Sequence, residues 1–159
     1  MDSRLISQIE TELKEFGHRN WVLVVDKAYP MQNSAGIRMF DSGAPLPDVL
    51  ETVSSMIDRL EHIRPSVYVD RELDFLDESY CPGAEAAREG IYSTLDRNCK
   101  SPVNSMLHED ILVKLNEVGD IYNVMVIKTE SLIPYTSVFF QLECGYWSDE
   151  QESILRSKL

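Results

Sequence analysis

Cations are scarce in this sequence of 159 residues. Its 15 Lys and Arg stand against 27 Asp and Glu, a formal net charge of -12, and the cations form no run. Such a field repels phosphate backbones and anionic lipid, so neither nucleic acid nor a membrane is an expected partner. Long apolar runs are missing too. Trp21–Val25 and Val124–Ile127 fall far short of the roughly 20 residues that span a bilayer. The opening residues lack the basic start and apolar stretch of a secretory signal. Only three cysteines occur, Cys81, Cys99 and Cys144, and none belongs to a Cys-x-x-Cys pair, so neither a disulfide framework nor a zinc knuckle is indicated. A cytoplasmic location is expected on these grounds. No Gly-x-Gly-x-x-Gly follows the first apolar run, and neither Gly-x-x-x-x-Gly-Lys-Ser/Thr nor Gly-x-Ser-x-Gly occurs. Dinucleotide enzymes, P-loop hydrolases and α/β-hydrolases are disfavoured, and neither a metal nor an organic cofactor is expected.

What is present is patterning. Leu5, Ile6, Ile9, Leu13 and Phe16 recur at helical spacing behind Asp2 or Ser3 as N-cap, predicting a helix that Gly17 stops. Trp21–Val25 reads as a strand without polar alternation, the pattern of a strand covered on both faces. Residues 26–36 are loop by their Pro, Asn, Ser and Gly content. A short strand over 37–40, a helix from Leu46 to Leu60 begun at Pro47, and a strand over 66–70 behind Pro65 follow. Residues 71–78 are open to helix or loop, and 83–98 read as helix. Ser105 can cap a helix carrying Leu107, Ile111, Leu112, Leu115 and Val118, and strands are expected over 121–127 and 137–143. This order predicts an α/β fold: a three-layer α/β/α sandwich around a mostly parallel or mixed sheet, one domain over residues 1–159.

Few side chains suit chemistry. Of the three histidines, His62 sits late in a helix, where a structural imidazole is ordinary. His18 follows the first helix, and Asp26 closes the next strand. A five-residue strand advances about 17 Å, so closeness in sequence does not settle whether they meet; the direction of the helix against the strand decides it. Asp26 lies where a buried strand runs out, the edge at which α/β proteins commonly bind ligands; capping of loop amides is the equal alternative. Lys27 is placed to offset Asp26 or to hold a hydroxyl. His108 lies in the first turn of the helix that Ser105 can cap, beside Glu109 and Asp110, in a setting too polar for core. Tyr135, between Pro134 and the last strand, can bind a hydroxyl or pack a strand edge.

Two blocks of sequence carry a resemblance. LKEFGHRNWVLVVDKAYP resembles the opening of the ribose pyranase/fucose mutarotase family (RbsD/FucU-like proteins), in which a helix ends in Gly-His, a buried strand follows, and an Asp begins a loop containing Pro. HEDILVKLNEVGDIYNVMVIKTESLIPYTSVFFQLE is similar to its closing segment, where a His-Glu helix start leads to a strand, a Pro-Tyr pair and a final strand. With DSGAPLPDVLETV between them, the blocks cover most of the chain in order. By this resemblance His18 and Asp26 match the catalytic His and Asp, His108 matches a substrate-binding His, and Tyr135 matches the Tyr of the Pro-Tyr motif. Ser137 stands where the family usually has Asn, Lys27 replaces a small residue, and the last sixteen residues run past the usual ending.

The resemblance implies interconversion of ring forms or anomers of a small free aldose such as ribose or fucose. Opening a cyclic hemiacetal takes a proton from the anomeric hydroxyl and delivers one to the ring oxygen, which needs no cofactor. It assigns His18 as general acid/base, Asp26 as its partner, Tyr135 as a hydroxyl ligand or proton relay, and His108 with Ser137 as the sugar's anchors. It also implies a symmetric homo-oligomer, typically a decamer, with sites near subunit boundaries. Phe139, Phe140, Tyr146 and Trp147 are candidates for subunit contacts or for core. Three rivals stand beside this reading: a noncatalytic monosaccharide-binding or regulatory protein on the same fold, a purely structural oligomer, and a metal-dependent hydrolase using His18, Asp26, His108 and perhaps Cys144, whose scattered positions give no compact ligand spacing.

Overall fold

The alternation of side chains along Trp21–Val25 explains where that strand must lie. In the computed structural model, which describes residues 1–159, all five of its residues are buried. Val22 and Val24 point into one apolar layer and Trp21, Leu23 and Val25 into another, so the strand divides two cores. This is β1. The other strands are β2 (Ile37–Asp41), β3 (Ile63–Asp70), β4 (Val103–Met106), β5 (Val124–Lys128) and β6 (Val138–Cys144). They form one sheet in the order β2-β5-β1-β6-β3-β4. β1 pairs in parallel with β5, β5 with β2, and β3 with β4; β6 runs antiparallel between β1 and β3. The sheet is mixed, as expected.

Helices cover both faces. α1 (Ser3–Glu15), α2 (Leu46–Asp58) and α3 (Ala84–Asn98) send Ile9, Leu13, Leu50, Val53, Ile57, Ile91 and Leu95 into the larger core against Val22, Val67, Ile127 and Phe140. α4 (His108–Gly119) covers the other face with Ile111 and Leu115 against Leu23, Val126 and Phe139. Phe139 and Phe140 therefore belong to the chain's own core, one on each face, and are not available as subunit contacts. Tyr146 and Trp147 remain exposed. No helix is long and apolar enough to cross a membrane.

Local chemistry sets several boundaries. Asp2 Oδ1 accepts the Leu5 amide at 2.9 Å and starts α1 as an N-cap. Beyond α1 the left-handed turn falls on Arg19 (φ 76°), not on Gly17. Pro65 does not break β3: it faces Leu142 on β6, while pairing with β4 starts only at Val67, so the edge beside Pro65 needs no amide donor. Ser105 lies inside β4 and caps nothing; α4 starts at His108, whose amide bonds to Glu72 at 3.1 and 3.2 Å. A 3-10 helix spans Arg71–Phe75, and an eight-residue α5 (Asp149–Arg156) follows β6.

Candidate functional site

The parallel strands β1, β5, β3 and β4 end at one edge of the sheet, and β6 begins there, since Val138 faces both Val24 and Val69. Asp26 emerges at the end of β1. Asp70 is the last residue of β3 and pairs with Met106 on β4, two residues before His108. The loop before β6 brings in Ser131 to Tyr135. The outcome is a cavity of about 290 Å³ lined by Asp26, Ala28, Tyr29, Pro30, His108 and residues 131–135. Sheet topology gathers these residues from distant parts of the sequence.

The polar groups have defined partners. Asp26 Oδ1 accepts the Ala28 amide at 2.9 Å, so the capping alternative holds for one oxygen while the residue still lines the cavity. His108 Nδ1 lies 3.0 Å from Asp70 Oδ1, and its ring meets the edge of Tyr135 with centroids 5.7 Å apart. Tyr135 is held at φ 58° and is 37% exposed. A non-glycine residue in that region costs of order 1–2 kcal/mol, and such strain gathers at functional sites. Tyr29 closes one wall, and burial raises its phenol above the usual range.

Three expected site residues lie elsewhere in the chain. His18 sits at the opposite edge of the sheet, before β1, with Nδ1 2.9 Å from Glu143 Oε2. It lines a separate cavity of about 580 Å³ with Arg19, Arg64, Trp147 and Glu152. The length of β1, about 17 Å by strand geometry, separates His18 from Asp26. Lys27 Nζ binds Glu130 at 2.6 Å and Asp41 at 3.3 Å, and the Glu130 bond holds its ammonium above the ordinary value. Ser137 is buried, with an Oγ that has no partner in the chain. No group of three or more His, Cys, Asp or Glu side chains is arranged to hold a metal ion. Asp70 and Glu72, which grip His108, had no local signal: "VYVDREL" reads as a strand leaving the sheet, and the bond to His108 spans 38 residues.

Comparison with family models and with curated proteins finds no match. Solved structures do match. Bacillus subtilis RbsD complexed with D-ribose superposes with a TM-score of 0.57 at 15% identity, over 90% of this chain and 93% of that one. The fucose mutarotase in complex with L-fucose from Streptococcus pneumoniae gives 0.52 at 15% identity, over 89% and 92%. FucU from Bifidobacterium longum gives 0.52 at 13%, over 86% and 94%. At these identities the likeness is one of fold: the chain has the RbsD/FucU-like α/β fold.

Proposed function

We propose that this protein interconverts ring forms or anomers of a small free aldose in the cavity lined by Asp26, His108 and Tyr135. The observation that carries this reading is the convergence of a carboxylate, an imidazole and a phenol at the carboxyl edge of the sheet. Two neighbours of the same fold, those complexed with D-ribose and L-fucose, support the class of ligand. Pro30, Leu132, Ile133 and Pro134 supply apolar walls for the C–H faces of a sugar, and the three polar groups meet its hydroxyls.

In the reaction, one group removes the proton of the anomeric hydroxyl while another protonates the ring oxygen. Histidine exchanges protons near neutrality, and a carboxylate accepts or returns one when positioned. His108 and Asp26 are this chain's own pair for those roles, with Tyr135 binding a hydroxyl. His18 is assigned to the same reaction in the site of a neighbouring copy, within a homo-oligomer of about ten subunits. Because one chain holds the two residues at opposite edges of the sheet, His18 can join Asp26 only from a second copy. The second reading, a pocket that binds a monosaccharide without turnover, is favoured by that separation if the chain acts alone.

Saturation-transfer NMR on a panel of aldoses tests the proposal. Substoichiometric protein should speed exchange between ring forms or anomers and leave their equilibrium populations unchanged. Thermal protection by a sugar whose exchange is not accelerated would establish the binding reading instead. Tyr135→Gly is expected to keep stability within about 1 kcal/mol, relief of the left-handed strain offsetting the added chain entropy. It should abolish protection by the sugar in thermal melts. Undiminished protection would remove Tyr135 from the ligand contacts.

A further inference from the structure

Asp70 is the only buried carboxylate of the chain, fully closed to solvent. Its Oδ1 meets His108 Nδ1 at 3.0 Å, and its Oδ2 has no partner. The second acid of the same turn, Glu72, accepts the backbone amide of His108. The last residue of β3 and the turn that follows it thus fix both the ring and the main chain of one pocket residue. A buried acid with an empty oxygen costs stability, and an apolar side chain would serve packing better. Packing alone does not account for it.

We propose that Asp70 is the positioning residue of this site, holding His108 in the tautomer that carries its proton on Nδ1 and presents Nε2 to the sugar. The inference rests on the proposed reading of the cavity. An ionised carboxylate only accepts, so Nδ1 must donate, and Nε2 is then the acceptor left for a sugar hydroxyl. When Nε2 takes a hydroxyl proton, the carboxylate behind the ring stabilises the imidazolium that forms, and return of the proton restores the pair. Asp70 acts through His108 and does not itself touch the ligand.

Burial pushes the Asp70 carboxyl up to about 6, against the opposing hydrogen bond from His108. Glu72 and Asp26 are the other charges facing it, both raising it, and Tyr29 is the remaining titratable neighbour. The folded chain therefore holds this proton more tightly than the unfolded chain. Its contribution to stability is present below the ordinary value of 3.8 and is lost as pH rises through about 6. A positioning acid of this kind trades stability for function.

Asp70→Asn separates the two roles. The amide can turn its NH₂ toward Nδ1 and reverse the tautomer, as happens when an acid behind a catalytic imidazole is replaced by its amide. Aldose exchange should fall about 10²-fold or more. The melting temperature at neutral pH should rise by a few degrees, and its decline between pH 3.8 and about 6 should flatten. Imidazole ¹⁵N shifts of His108 should report Nδ1–H in the wild type and Nε2–H in the variant. In a His108→Ala background the same change should leave the residual rate unaltered, because the two effects run through one ring. Unchanged exchange in Asp70→Asn, or rate losses that simply add in the double variant, would overturn the proposal. Wild-type protein that accelerates no aldose would instead defeat the reading of the cavity. The tautomer would then decide the Asp70 claim alone: Nδ1–H supports it, and Nε2–H contradicts it even if the variant fails to fold.

Discussion

Replacing His108 with alanine is expected to slow aldose exchange by about 10²–10⁴-fold, the usual worth of a positioned acid or base. His108 combines a place on the cavity wall, an anchored Nδ1 and contact with Tyr135. Truncation also strips the buried Asp70 of its hydrogen-bond partner, so the melting temperature should fall as well, and only the rate per folded molecule reads the chemistry. His62→Ala is the control. That ring bonds Phe16 O at 2.9 Å, tying the end of α1 to the start of β3, and has no place in the cavity. Its replacement should lower the melting temperature and leave the rate per folded molecule unchanged. The measurement is the initial exchange rate by NMR, normalised to folded protein. A His108→Ala rate within twofold of wild type would assign the chemistry to other groups.

The second large effect concerns His18. His18→Ala and Asp26→Asn should each be nearly inactive. If each site draws His18 from one copy and Asp26 from the next, mixing the two variants under conditions that reassort subunits should restore activity. Random assortment leaves about a quarter of the sites with both native groups, so recovery to about that fraction is expected. Light scattering should give a mass several times 18.2 kDa for the wild type and both variants. A monomer, or a mixture no more active than its parts, would confine His18 to its own edge of the sheet. The ion pair of His18 with Glu143 would then be structural.

The layered architecture was legible because it rests on local pattern. "WVLVV" announced a doubly covered strand, and its boundaries in the structure agree to the residue. Elements stabilised from afar were hidden. β4 has four residues and exists by pairing with β3, so "VNSM" carries little signal of its own. The start of α4 is satisfied by Glu72, which no reading of residues 105–110 can reveal. α5 is a different miss: Ser148 and Gln151 form a capping box whose Ser-x-x-Gln spacing stood in the sequence. Of the site, Asp26, His108 and Tyr135 were visible as chemistry without neighbours, and only the topology of the sheet brings them together. Asp70 had neither motif nor exposure to mark it. The separation of His18 from Asp26 was open at the sequence level because the direction of α1 against β1 was unknown.

The most direct test is the exchange rate of one responsive aldose with wild-type protein and with a folded Asp26→Asn, His108→Ala double variant, measured by saturation transfer in the same buffer. With wild type the rate should rise in proportion to protein concentration at fixed ring populations, while the double variant should leave it at the uncatalysed value. Equal rates for the two proteins, whether both accelerated or both at the uncatalysed value, would contradict the claim that this cavity performs the reaction.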